Sequence, residues 1–247
     1  MNSDLVFFTA QVKETLLSIH AQRDLERKAL KAVLKCRADI EEYMSKYPEF
    51  LISFHPLPVQ ENTPEIVREM LSAAREAAVG PMAAVAGAIA EYVGRELLAF
   101  SSEIIVGNGG DIFIASKKRR NIKIYAGNSP LTGKIALQIE PEETPLGVCV
   151  SSGTFGHSFS FGKADAVIAI APSASLADAS ATAIGNLVES AAHIPKAIEF
   201  AQGIEGLRGV AVIKDNEMKT WGKVKIISTP FIPPAAAGGM KGRKKTE

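Results

Sequence analysis

The chain has 247 residues, 47% hydrophobic and 22% charged, with a formal net charge of +1. That length fits one large domain or two small, closely packed ones, and the composition is ordinary for a soluble globular protein. A near-neutral balance gives no reason to expect a nucleic-acid partner, and the two cysteines, Cys36 and Cys149, supply neither a disulfide framework nor a four-ligand zinc site.

Residues 5–11 and 15–20 read as two β-rich runs around Lys13-Glu14, a hairpin. From 24 to 46 the apolar positions Leu25, Leu30, Val33, Leu34, Ile40 and Met44 fit an amphipathic helix. Pro48 and the stretch 55–58 break that pattern. A second helix is expected from Thr63 as N-cap, with Pro64 at its first position, to about residue 79. Gly80-Pro81 then separates it from a third helix over 82–100, whose Ala83, Ala84, Ala86, Gly87, Ala88 and Ala90 let another backbone lie close. The apolar stretch 77–90, bounded by Glu76 and Glu91, falls short of the ~20 residues of a spanning helix and reads as a buried helix pair with no membrane role. The run 6–8 is too short for a signal-peptide core, so a cytoplasmic protein is expected.

The middle of the chain is β-rich, with strands expected at 103–106, 112–115, 122–125, 134–139, 147–151 and 164–171, and an alternating polar and aromatic segment at 158–161. Residues 176–202 read as one helix bent near Pro195. Residues 209–214 and 223–228 read as a closing hairpin around Asn216. Strand runs kept apart from helix runs argue for an α+β fold. The ordered part is expected to be a single domain over 1–232, with pseudo-repeated halves, followed by a disordered basic tail over 233–247.

Three segments and two single residues carry chemistry. Asn108-Gly109-Gly110-Asp111 between two strands is a hairpin turn on local grounds, because Asn-Gly favours positive φ. Ser151-Ser152-Gly153-Thr154 follows a strand and offers hydroxyls and amides that would ring an anion, or else forms an ordinary polar loop. Asp178, Thr182 and Asn186 recur every fourth residue on one helix face. A carboxylate and a hydroxyl one turn apart suit Mg²⁺; equally, Asp178 suits the positive end of its own helix. His157 reads as a structural histidine or as a pocket acid–base group. Cys149 reads as a small hydrophobe or as a nucleophile.

Together these segments resemble the ApbE superfamily of flavin transferases, and more closely its shorter, UPF-type branch. The likeness covers about residues 80–186. It rests on Gly87-Ala88-Ile89-Ala90, on Gly-Gly-Asp-Ile at 109–112, on Ser151-Ser152-Gly153, and on Ala177-Asp178-Ala179-Ser180-Ala181-Thr182-Ala183. It implies two T-fold-like halves, each a small antiparallel sheet backed by helices. It also implies a flavin pocket beside Asn108, Gly109, Gly110 and Asp111, a loop of Ser151, Ser152, Gly153 and Thr154 at the FAD nucleotide, and Mg²⁺ on Asp178 and Thr182. A homo-oligomer is implied by analogy.

Three positions depart from the enzyme pattern: Glu91 stands where a lysine is usual, Thr154 replaces an aspartate, and the segment after His157 is short. The expected function is therefore a pocket for a flavin or related nucleotide with Mg²⁺, serving phosphotransfer or pyrophosphate cleavage rather than flavin attachment. Two alternatives stay open. One is a non-catalytic module for a small-molecule nucleotide or anion. The other is a sulfur or acyl carrier built on Cys149.

Overall fold

The computed structural model describes residues 4–152 and 161–230. In chain order these form β1 (Val6–Val12), β2 (Thr15–Ala21), α1 (Glu26–Lys46), a single turn α2 (Glu49–Ile52), α3 (Glu65–Ala77) and α4 (Val85–Leu98). Next come β3 (Ile104–Asn108), β4 (Asp111–Ala115), β5 (Arg120–Lys123), β6 (Ile135–Ile139), β7 (Leu146–Ser151) and β8 (Ala166–Ala171). The chain continues with α5 (Ala174–Asn186), α6 (Ile194–Gln202), β9 (Gly209–Lys214), β10 (Glu217–Gly222) and β11 (Ile226–Ser228).

Eight strands make one sheet in the order β1-β2-β3-β4-β7-β8-β9-β10, with every neighbouring pair antiparallel. Each half repeats hairpin, helices, hairpin: β1-β2, α1 to α4, β3-β4, and then β7-β8, α5 and α6, β9-β10. The expectation of an α+β fold with antiparallel sheets backed by helices holds, but the halves do not keep separate sheets. Strands β4 and β7 fuse them through Ile112↔Val148, Phe113↔Gly147 and Ile114↔Leu146.

The helices cover one face of this sheet. The other face is covered at its centre by the second sheet, β11-β6-β5. Alternation sorts the side chains between the layers. Leu146 and Val148 join Ile135, Leu137 and Ile139 in the core under the small sheet, while Cys149 belongs to the core under the helices. β8 is buried along its whole length because both of its faces are covered, which explains its uninterrupted apolar sequence.

Several boundaries differ from the sequence expectation. Thr63 does not cap α3, since its hydroxyl donates to the Gln60 carbonyl (2.7 Å) and Pro64 takes the cap position. The third helix opens with a 3₁₀ turn over Pro81–Ala84. The expected long helix is two, α5 and α6; Pro195 sits in the first turn of α6, where its missing N–H removes no helical bond. The partner of β9 is β10, and residues 226–228 cross to the small sheet instead. The 158–161 segment and the tail lie outside the described residues, except for Phe161. Among the described residues no single helix is long and apolar enough to cross a membrane; α3 and the helical run that follows it are bent by 106°.

Candidate functional site

The site forms where two helix N-termini meet one end of the sheet. Helix α4 is free of bulk on one side: a Cβ on Gly87 would come within 2.2 Å of the Ala174 carbonyl oxygen. The small side chains expected to admit a close backbone therefore do so, and the backbone is that of α5. Gly147 is equally confined, since a Cβ there would lie 2.3 Å from Ala174 Cα.

At this contact the two helices exchange carboxylates. Asp178 Oδ2 accepts from the Gly87 N–H (2.9 Å), in the first turn of α4, where backbone donors have no partner within the helix. In return Glu91, 1% exposed on α4, accepts from the first N–H of α5, that of Ala174 (2.6 Å), and from the Ser173 hydroxyl (3.1 Å). Its other oxygen pairs with Arg95, which reaches on to Glu69 (3.0 Å). Both carboxylates also favour the positive ends of the helix dipoles they cap. Asp178 thus serves the N-terminus of α4, not that of its own helix.

The sheet supplies the opposite wall. Asn108 and Asp111 pair across the Gly109-Gly110 turn, with Gly109 at φ +64 as the expected Asn-Gly turn requires. The Asn108 amide donates to the Ala86 carbonyl (3.2 Å), tying the turn to the start of α4. Asp111 projects to the helix side and is 7% exposed; burial pushes its carboxyl up to about 7, against a partial offset from the Cys149 thiol. Burial also pushes the Asp178 carboxyl well above the usual range, and the Asp111 charge adds to this. No cationic side chain among the described residues pairs with either one.

Cys149 is fully buried between these carboxyls, with Sγ 3.3 Å from the Ala174 carbonyl oxygen. Burial, together with Asp111 and Asp178, pushes its thiol well above the ordinary value. A carrier thiol needs access and nearby positive charge; Cys149 has no exposed surface, and no cation pairs with it among the described residues. Cys36 is likewise buried, its thiol pushed up to about 12.

Ser151, two residues along β7 on the same face, is 6% exposed, and its hydroxyl has no hydrogen-bond partner among the described residues. Ser152 is half-buried, as is Thr182, one turn beyond Asp178. Asn186 Oδ1, a further turn on, accepts from the Phe161 N–H (2.9 Å). Gly153, Thr154 and His157 lie outside the described residues. The structure therefore brings together Asn108, Gly109, Gly110, Asp111, Cys149, Ser151 and Asp178. Sequence reading missed the role of Glu91. The one acid in the Ala/Gly-rich start of α4 is a signal, but its partner lies 83 residues away.

A family model described as "AbpE bacteria" matches residues 2–218. The chain belongs to this family. A UPF0280 protein of Methanococcus aeolicus is 43% identical over 201 residues, 79% of this chain and 81% of that protein. A UPF0280 protein of Methanocaldococcus jannaschii is 42% identical over 219 residues, covering 86% and 89%. Among solved structures, the apo flavinyl transferase ApbE of Pseudomonas stutzeri superposes with a TM-score of 0.60 at 14% identity, over 90% of this chain and 97% of that one. The flavin transferase ApbE of Vibrio cholerae gives 0.58 at 13% identity, covering 88% and 96%. At such identities the structural likeness establishes a shared ApbE fold.

The donor set suits a hard cation such as Mg²⁺. Buried Asp111 and half-buried Asp178, with no counter-cation among the described residues, the Thr182 hydroxyl one turn away and the buried Ser151 hydroxyl, which has no partner among them either, are all hard oxygen donors. Among the described residues no three His, Cys, Asp or Glu side chains cluster as metal ligands. An ion here would take two carboxylates and complete its shell with hydroxyl, water or ligand oxygens, as Mg²⁺ habitually does.

Proposed function

We propose that this protein binds a flavin or related nucleotide together with Mg²⁺ at the meeting of α4, α5, β4 and β7, and cleaves or transfers its phosphate. The observation that carries the reading is the pairing of buried Asp111 on β4 with half-buried Asp178 on α5, which is fixed by the Gly87 amide: neither carboxyl has a positive partner among the described residues. Such a pair costs stability unless it is protonated or a cation joins it.

Asp178, Asp111 and Thr182 would hold the ion. When bound, Mg²⁺ would neutralise charge on the phosphate oxygens. The chain's own share is positioning. The Gly87 amide fixes the Asp178 carboxyl, and Glu91 fixes the start of the helix that carries it. Asn108 locks the turn that delivers Asp111, and the Ser151 hydroxyl is left to meet a ligand oxygen. Incubating the protein with FAD and Mg²⁺ should release FMN and AMP, and Asp178→Asn should abolish this by weakening Mg²⁺ binding about 100-fold. A folded sample without turnover would refute cleavage.

One observation favours the second reading, nucleotide binding without chemistry. Glu91 puts a buried carboxylate on the first amide of α5, a position open to phosphate in an uncapped helix. Saturable, product-free binding of FAD that raises Tm would identify this case.

A further inference from the structure

At the far end of α4, about 16 Å along the helix axis from Gly87, a groove of about 410 Å³ opens between that helix and α1. Its floor is apolar: Ala32 and Leu97 are buried, and the Phe100 ring, 39% exposed, completes it. Its rim is cationic, with Lys28, Lys31 and Lys35 of α1 set against one acid, Glu96. A spacing of three and then four residues keeps the lysines on one face of α1. The seat of the ring is fixed. The Phe100 N–H donates to the Leu97 carbonyl (2.9 Å), the Phe100 carbonyl accepts from the Arg23 guanidinium (3.0 Å), and the Lys28 ammonium stands 3.7 Å from the ring centroid.

Helix α1 treats its cations unequally. Further along it, Arg37 is satisfied by Glu14 (2.9 Å), Glu41 (2.8 Å) and the Thr15 hydroxyl (2.8 Å). In the groove, Lys31 has no acidic partner among the described residues, and Lys28 stands over a ring rather than an acid. Lys35 lies 3.9 Å from Glu96 with the two side chains 72% and 61% exposed, a geometry in which an ion pair holds little. The excess is local, because the whole chain carries a net charge of only +1. Charge and shape together select the occupant. A lone inorganic anion would leave the Phe100 ring in water. The three lysines run along about 10 Å of helix, longer than a compact anion spans. An extended polypeptide covers that length in three or four residues, at about 3.3 Å each, and can place acidic side chains along it. A uniformly anionic surface, such as a headgroup layer or a nucleic-acid backbone, would meet repulsion from Glu96. We propose that this groove docks an acidic segment of a partner protein, with one bulky apolar side chain on the Leu97–Phe100 floor and flanking carboxylates on Lys28, Lys31 and Lys35. An apolar centre within a charged rim is the ordinary anatomy of a protein interface. The groove lies at the other end of α4 from the carboxyl pair, so it stands apart from the nucleotide reading.

The experiment uses the full chain and the fluorescence anisotropy of a labelled synthetic peptide in which glutamates flank one phenylalanine. Wild type should bind it saturably, with affinity falling as salt rises. Lys31→Glu should weaken binding at least about tenfold, and Phe100→Ala about tenfold. Lys31 is exposed and has no acidic partner among the described residues, so the circular-dichroism melt of Lys31→Glu should match wild type. Lys241, Arg243, Lys244 and Lys245 are basic too and are present in every variant, so the difference between variants is what reports on the groove. No saturable binding by wild type, or equal binding by wild type and Lys31→Glu, would overturn the proposal. A peptide with serine in place of its phenylalanine should bind about tenfold more weakly; equal binding would overturn the apolar anchor. Phosphatidylserine vesicles and a DNA duplex run alongside the peptide. Either one bound more tightly than the peptide, with the same loss in Lys31→Glu, would overturn the partner protein in favour of that surface.

Discussion

The β3-β4 hairpin carries a buried carboxylate at each end, and the two are handled in opposite ways. Glu103, just before β3, and Ser116, just after β4, mark one end; Asp111 and the Gly109-Gly110 turn mark the other. Glu103 accepts from Arg120 (2.8 Å), the Ser116 hydroxyl (2.7 Å) and the Lys117 N–H (3.1 Å). Burial pushes its carboxyl up, but the hydrogen bonds from Ser116 and Arg120 outweigh that and hold it below the usual range. Asp111 is as deeply buried and lacks any such cation among the described residues, so its carboxyl rises instead. The same hairpin therefore separates a carboxylate whose charge is satisfied within the fold from one with no cationic partner among the described residues. Perturbation without compensation is the better marker of a site than burial is.

The comparison can be broken at its compensated end first. Arg120→Ala should cost about 3–5 kcal/mol in urea unfolding, because it strands Glu103 as an unpaired buried charge. A loss below 1 kcal/mol would mean that Glu103 is hydrated and the contrast is false. The uncompensated end should show as pH dependence. A carboxyl at about 7 in the folded chain and near 4 in the unfolded chain keeps a proton through that interval only when folded. Its stabilisation is thus fully present below about pH 4 and is lost as pH rises through 7, up to about 4 kcal/mol for this one group. Asp111→Asn, which cannot ionise, should flatten the fall between pH 5 and pH 8 when unfolding is followed without divalent ions. A variant that tracks wild type across that range would show that Asp111 ionises normally. Glu91→Gln should have the smallest effect, about 1.5–3 kcal/mol in thermal melts, since it weakens the charged bonds to Ala174 and Arg95 but keeps the volume. An unchanged melt would remove Glu91 from the positioning of α5.

Much of this was legible from local pattern. The β1-β2 and β3-β4 hairpins, the small-residue face of α4 and the single face of Asp178, Thr182 and Asn186 follow from period and turn chemistry, which depend on neighbours a few residues away. The rest depends on distant ones. Nothing near Glu91 announces the amide of Ala174, and nothing near Arg120 announces Glu103. Cys149 has the letter of a nucleophile, and its full burial in the core under the helices comes from elements far away in sequence. Residues 226–228 look like any short strand, and their crossing to the second sheet is decided by the open edge of β6.

The packing at Ala174 has a consequence for how this sequence can drift. Gly87 and Gly147 press on it from a helix and a strand, with no room for even one added carbon on either. The height of Asp178 above the sheet is set by that three-way contact. A lineage changing one codon at a time cannot enlarge any of the three without first shrinking another, and two of them already have no side chain to give up. The distance between Asp178 and the sheet is thereby closed to single-step revision.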